Sequence, residues 1–121
     1  MTEGEVSRVC EAVRRLLHFI GARPLVGYYL EFDVAMINRA LRATLGVSLP
    51  QPRIEVSRLY YDHKFRQLPP YQQHDNADID LRFATIMREL GLPTRDAHDA
   101  LNDAVMAALA FVKLRALRGD D

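Results

Sequence analysis

Leu25-Val26-Gly27-Tyr28-Tyr29, followed by Leu30-Glu31-Phe32-Asp33, is the stretch on which the fold turns. Pro24 forbids continuation of any preceding helix, and the apolar and aromatic run behind it reads as a short buried strand over 25–29. From Phe32 the period changes: Phe32, Ala35, Met36, Ile37, Ala40, Leu41 and Leu45 recur at helical spacing, with Gly46 as the stop. Asp33 therefore falls in the first turn of a helix that leaves a strand. That is the carboxyl edge of a parallel sheet, where open α/β folds place their ligands.

Working outward, Val6, Val9, Cys10, Val13, Leu16, Leu17 and Ile20 give an amphipathic helix over Glu5 to Ile20, closed by Gly21. Beyond Pro50 and Pro52, residues Ile54, Val56, Leu59 and Tyr60 read as a second short strand. Tyr61 to Asp78 is polar and reads as an irregular surface segment, and Asp80 as the N-cap of a helix through Leu81, Ala84, Met87 and Leu90 to Gly91. A last helix from about His98 to Leu117 is expected to bury Leu101, Val105, Ala108, Leu109 and Val112. Strands set between helices predict an α/β fold, mostly helical, with two short strands of an incomplete parallel sheet.

Composition bounds the function. The chain has 121 residues, the size of a single domain, and no repeat or linker interrupts 1–121. Sixteen basic against sixteen acidic residues give zero formal charge, so any contact with nucleic acid must be local. Hydrophobic residues at 49% and charged residues at 26% exclude disordered and low-complexity classes. One cysteine, Cys10, excludes a disulfide framework and a cysteine-based zinc site, which points to a reducing, cytoplasmic setting. The longest apolar stretch, Ala104 to Val112, is far short of the roughly 20 residues a membrane span needs, so no membrane partner is expected.

The sharpest chemical pattern is His98-Asp99-Ala100-Leu101-Asn102-Asp103. A histidine on the loop entering a helix and an aspartate one turn inside can face the same cavity, offering a base and a metal ligand. With Leu25-Val26-Gly27, Phe32-Asp33 and Asn38, this pattern resembles the DEDDh 3′-5′ exonucleases, the group of RNase T-like and DNA polymerase III epsilon-like nucleases. Their third motif, His-x-Ala-x-x-Asp, is matched by His98, Ala100 and Asp103. In their second, Tyr28 and Tyr29 stand where many members carry His-Asn. The likeness runs from the first helix to the last.

That resemblance implies a ribonuclease H-like fold and two Mg²⁺ or Mn²⁺ ions hydrolysing the terminal phosphodiester at a nucleic acid 3′ end. His98 would be the general base, Asp103 and Asp33 metal ligands, and Tyr28 and Tyr29 residues beside the substrate. Histidine suits the base role because its ordinary pKa, about 6.5, lies near neutrality. The family's first motif, Asp-x-Glu on an opening strand, has no counterpart. Glu3-Gly4-Glu5 has the acid spacing but no strand before it. The chain accordingly reads as the carboxyl-terminal part of such a domain, with a bare strand edge able to pair with a partner or a second copy.

Bland readings stand beside these. Asp33, Asp99 and Asp103 are also favourable first-turn acids, and Tyr28 and Tyr29 are strand formers before they are stacking platforms. His63, His74, Asp75, Asp78 and Asp80 match no metal-site spacing and read as solvated polar residues. Arg14-Arg15 offers forks to phosphate, yet fourteen arginines against two lysines make arginine common everywhere in the chain. Two further functions follow from these readings: a non-catalytic interaction module, and a metal phosphohydrolase of the HD-domain kind built on His74-Asp75 and His98-Asp99. The last requires an all-helical fold.

Overall fold

The computed structural model describes residues 2–94 and 99–119. Along the chain run α1 (Glu3–Ile20), β1 (Leu25–Gly27), α2 (Leu30–Thr44), β2 (Arg53–Glu55), α3 (Val56–Gln67), a 3₁₀ turn at Pro70–Gln72, α4 (Phe83–Glu89) and α5 (Ala100–Arg118). β1 and β2 pair in a two-stranded parallel sheet, and the Leu25 N–H donates to the Pro52 carbonyl at 2.9 Å. The fold is thus mostly helical within a broad α/β class, and the parallel pair removes the all-helical phosphohydrolase reading. None of the helices among the described residues is long and apolar enough to cross a membrane. The chain divides into two compact units, one of residues 1–25 with 29–54 and the other of Val26–Tyr28 with the residues from Glu55 onward.

In the first unit, the Thr2 hydroxyl accepts the Glu5 N–H at 3.2 Å and starts α1. Gly21, at φ 58°, ends it in the left-handed region that a Cβ penalises. The α1 period brings Val13 onto Val34 and Leu41 of α2, and Leu49 completes this core, with Leu25 of β1 packed against it. Burial of each such side chain is worth about 1.5–3 kcal/mol. Between α2 and β2 the chain turns back at Leu49, whose backbone N–H is met by the Asn38 side-chain oxygen at 2.7 Å in a buried hydrogen bond. A helix interior usually disfavours asparagine; here it satisfies a loop N–H that burial would otherwise orphan.

The second unit departs from the sequence reading at its start. Strand structure stops at Glu55, and Val56, Leu59 and Tyr60 belong to a helix rather than to a strand. Their spacing fits both periods, and the cap decides. The Glu55 carboxylate accepts both the backbone N–H of Ser57 at 3.1 Å and its hydroxyl at 2.6 Å, opening α3 at Val56. Residues 61–67, expected to be irregular, continue that helix.

Two further expectations are corrected. Helix α4 begins at Phe83, with Arg82 in the cap position. Asp80 stands two residues ahead of that cap, where its carboxylate accepts the Arg82 N–H at 3.0 Å and the Thr85 hydroxyl at 2.8 Å. In α5 the buried stripe is Met106, Ala107, Ala110 and Leu114, while Leu101 is 72% and Val112 63% exposed. The run from Ala104 to Val112 is apolar on every side, so periodicity leaves the inward face open, and packing on α3 and α4 selects it. The core so formed joins Val56, Tyr60, Ile86, Met87 and Leu90 to the α5 stripe, with Val26 and Tyr28 packed against it.

Leu114→Ala should therefore cost about 2–5 kcal/mol in urea unfolding. Val112→Ala, on the exposed side of the same helix, should stay within about 0.5 kcal/mol of the parent. The reverse ranking would restore the stripe expected from periodicity.

Candidate functional site

Asp33 sits where the strand-to-helix reading places it, in the first turn of α2, six residues beyond the end of β1. It is exposed, and its carboxylate makes no hydrogen bond or ion pair among the described residues. Tyr29 immediately precedes the helix with φ 49° and ψ 46°, the only described non-glycine residue with a positive φ. A bulky residue in this left-handed conformation is held there against a steric cost of order 1–3 kcal/mol, and such outliers gather at functional sites. Its ring, 49% exposed, meets Phe32 edge to face at 6.5 Å, and Phe32 is 75% exposed. Two partly exposed aromatic side chains and an unpaired carboxylate thus lie within five residues of chain at the start of α2.

Phe32 was legible as a step of a helical period and as the neighbour of Asp33 in the Phe32-Asp33 pair, but its exposure was not. Its exposure follows from the inward face of α2, which is Val34, Asn38 and Leu41, leaving Phe32 and Met36 outside. No sequence signal distinguishes these faces, since apolar residues occur on both.

Tyr28, paired with Tyr29 in sequence, lies apart from it in environment. Its ring stacks on Phe83 with centroids 4.3 Å apart and planes 8° from parallel, and its hydroxyl donates to the Leu81 carbonyl at 2.6 Å. One ring face and the hydroxyl are therefore committed to the second unit's core, and the strand ends at Gly27, ahead of both tyrosines.

Asp103 lies in the first turn of α5 and is half-buried, its carboxylate unpartnered among the described residues. Asp99 is the N-cap, its carboxylate accepting the N–H groups of Leu101 at 2.9 Å and Asn102 at 3.2 Å. The bland capping reading of Asp99 is thus the structural one. His98 lies outside the described residues.

Asp33 and Asp103 offer the hard oxygen donors that Mg²⁺ and Mn²⁺ take, and both carboxylates are free to accept a cation. They fit such an ion in kind. No cluster of three or more His, Cys, Asp or Glu suited to a metal occurs among the described residues. The histidines of the polar stretch have other partners: His63 lies 3.3 Å from the Gln67 amide nitrogen, and His74 Nδ1 accepts the Asn76 N–H at 3.2 Å. Burial, with Lys64 and Arg66 nearby, lowers the His63 pKa below the ordinary imidazole value.

Asp80 is the most perturbed carboxylate among the described residues. Arg82 grips it at 2.6 Å and Thr85 adds a hydroxyl donor, and these hydrogen bonds hold its pKa well below the usual carboxylate range. A lowered folded pKa adds stability above the unfolded pKa, about 3.9, and that stability is lost as pH falls toward the folded value.

No protein-family model, curated protein or solved structure matches the chain.

Asp80→Asn should lower the melting temperature at pH 7. The gap from the parent should narrow below about pH 5 and close at the acid end of a thermal-melt series, because only the ionised carboxylate holds Arg82. A gap unchanged down to pH 2 would assign the loss to packing instead.

Proposed function

We propose that the chain is a metal-dependent 3′-5′ exonuclease domain of the DEDDh kind, with a ribonuclease H-like fold, acting on terminal phosphodiesters of single-stranded DNA or RNA. The observation that carries this reading is the junction after β1. An unpaired Asp33 stands in the first turn of α2, the helix whose start also carries the exposed Tyr29 and Phe32. A carboxylate next to open aromatic faces suits a nucleotide, whose bases stack on aromatic rings at about 1–3 kcal/mol each. The His98, Ala100 and Asp103 pattern at the head of α5 adds the second support.

In this reading Asp33 and Asp103 would each offer carboxylate oxygens to Mg²⁺ or Mn²⁺, and His98 would accept the proton of the attacking water. The ions would supply charge neutralisation at the scissile phosphate and acidify water. Tyr29, with Phe32 beside it, orients the terminal base, and the left-handed backbone at Tyr29 fixes the direction of its ring.

A second reading is an interaction module without catalysis, favoured by the exposed apolar residues of α5, Leu101 and Val112. It predicts self-association, through that helix or through the open edges of the two-stranded sheet.

The test is release of nucleotides from short 3′-labelled single-stranded DNA and RNA with Mn²⁺. Activity that falls by about 100-fold or more in Asp103→Ala and in His98→Ala is expected, since positioned general acid-base catalysis alone contributes about 10²–10⁴-fold. Activity indifferent to both substitutions would reject the assignment. A silent chain whose light-scattering mass rises with concentration, and falls again with Val112→Ser, would replace it by the interaction module.

A further inference from the structure

The chain contains four methionines, and their surroundings differ sharply. Met87 is 0% and Met106 3% exposed, both in the core of the second unit. Met36, in the middle of α2, is 69% exposed. Met1 lies outside the described residues. The inward face of α2 is Val34, Asn38 and Leu41, so a period of 3.6 residues sets Met36 on the opposite side, one turn beyond Phe32. Its neighbours on that side, Phe32, Arg39 and Ala43, are exposed as well, and no core cluster includes Met36.

A thioether reacts with peroxides in proportion to its access to them. Met87 and Met106 are reached only when the core around them opens, whereas Met36 is reached in the folded chain. The cost of the product differs in the same way. A sulfoxide at Met87 or Met106 would bury a polar oxygen in an apolar core, but at Met36 the oxygen stands in water. The surface it enters is apolar and aromatic, since Tyr29 and Phe32 precede Met36 on the same helix start and are exposed.

We propose that Met36 is a site of reversible oxidation by peroxides, at which the sulfoxide turns the outer face of α2 from apolar to polar without loosening the fold. A lone pair of the Met36 sulfur attacks one oxygen of hydrogen peroxide. The O–O bond breaks, the S–O bond forms, and the second oxygen leaves as water, so sulfur is oxidised by two electrons and the peroxide reduced by two. Methionine sulfoxide reductases reverse the step: the sulfoxide oxygen leaves as water while two thiols of the reductant join in a disulfide. This inference rests on the exposed face of α2 and is independent of the exonuclease reading.

The experiment exposes the intact chain to hydrogen peroxide and follows each methionine by mass spectrometry of tryptic peptides, which carry the four methionines and Cys10 on separate fragments. Met36 is expected to gain oxygen about tenfold or more faster than Met87 and Met106. The oxidised chain should keep its melting temperature within about 2 °C and elute earlier from a hydrophobic-interaction column. Reductases for both sulfoxide epimers, with dithiothreitol, should restore the parent mass and retention. Met36→Leu keeps the side-chain size, so it should fold as the parent does and show no peroxide-dependent shift in retention, even if Cys10 or Met1 is oxidised. Oxidation of Met87 or Met106 at a rate comparable with Met36 would overturn the proposal. So would a melting temperature that collapses when Met36 alone is oxidised, a shift in retention that persists in Met36→Leu, or a sulfoxide at Met36 that the reductases leave in place.

Discussion

The anchoring of the short segment around β1 by helices is the constraint on which the rest depends. A three-residue strand in a two-stranded sheet has little stability of its own, so its side chains must be held by helices. Leu25 packs against the core of α1 and α2; in the second unit, Val26 and Tyr28 pack against the core of α3, α4 and α5. The hydroxyl of Tyr28 then fixes the Leu81 carbonyl, and its ring receives Phe83 at the start of α4. The residue after it, Tyr29, turns the chain through a left-handed conformation into α2. Adjacent tyrosines thus differ, Tyr28 packed against Phe83 and Tyr29 49% exposed with its ring edge to face with Phe32.

Polar groups set element boundaries throughout. Glu55 converts a run that fits either period into a helix by capping Ser57, and Asp99 does the same for α5. Asn38 is placed inside a helix because the Leu49 N–H needs it. Asp80 gathers Arg82 and Thr85 ahead of α4. Asp33 and Asp103 stand in the first turns of α2 and α5 without capping an N–H or forming an ion pair among the described residues.

Much of the fold was legible. The helix ending at Ile20, the strand at Leu25, the helix carrying Asp33 and the helix carrying Asp103 all lie where period and stop signals put them. Errors arose where one pattern served two structures. Val56, Leu59 and Tyr60 satisfy strand and helix alike, and only the Glu55 cap separates them. In α5 the continuous apolar run admits several inward faces, so Leu101, Leu109 and Val112 were assigned to a core that Met106, Ala110 and Leu114 occupy. For the candidate site, the positions of Asp33 and Asp103 at helix starts were readable; the company Asp33 keeps was not. Phe32 counted as core by spacing and stands 75% exposed.

The amino-acid order alone therefore determined where helices and strands lie, which residues stop them, and which acids stand in first turns, because these depend on neighbours within a few residues. Tertiary structure alone decided which side of α2 and α5 faces inward, and that Tyr28 stacks on Phe83 and bonds the Leu81 carbonyl while Tyr29 stands 49% exposed. Those outcomes depend on side chains far apart in sequence, such as Tyr28 and Phe83, competing for the same volume. No local pattern encodes that competition, since an apolar residue is equally suited to either face until a second element arrives to cover one of them.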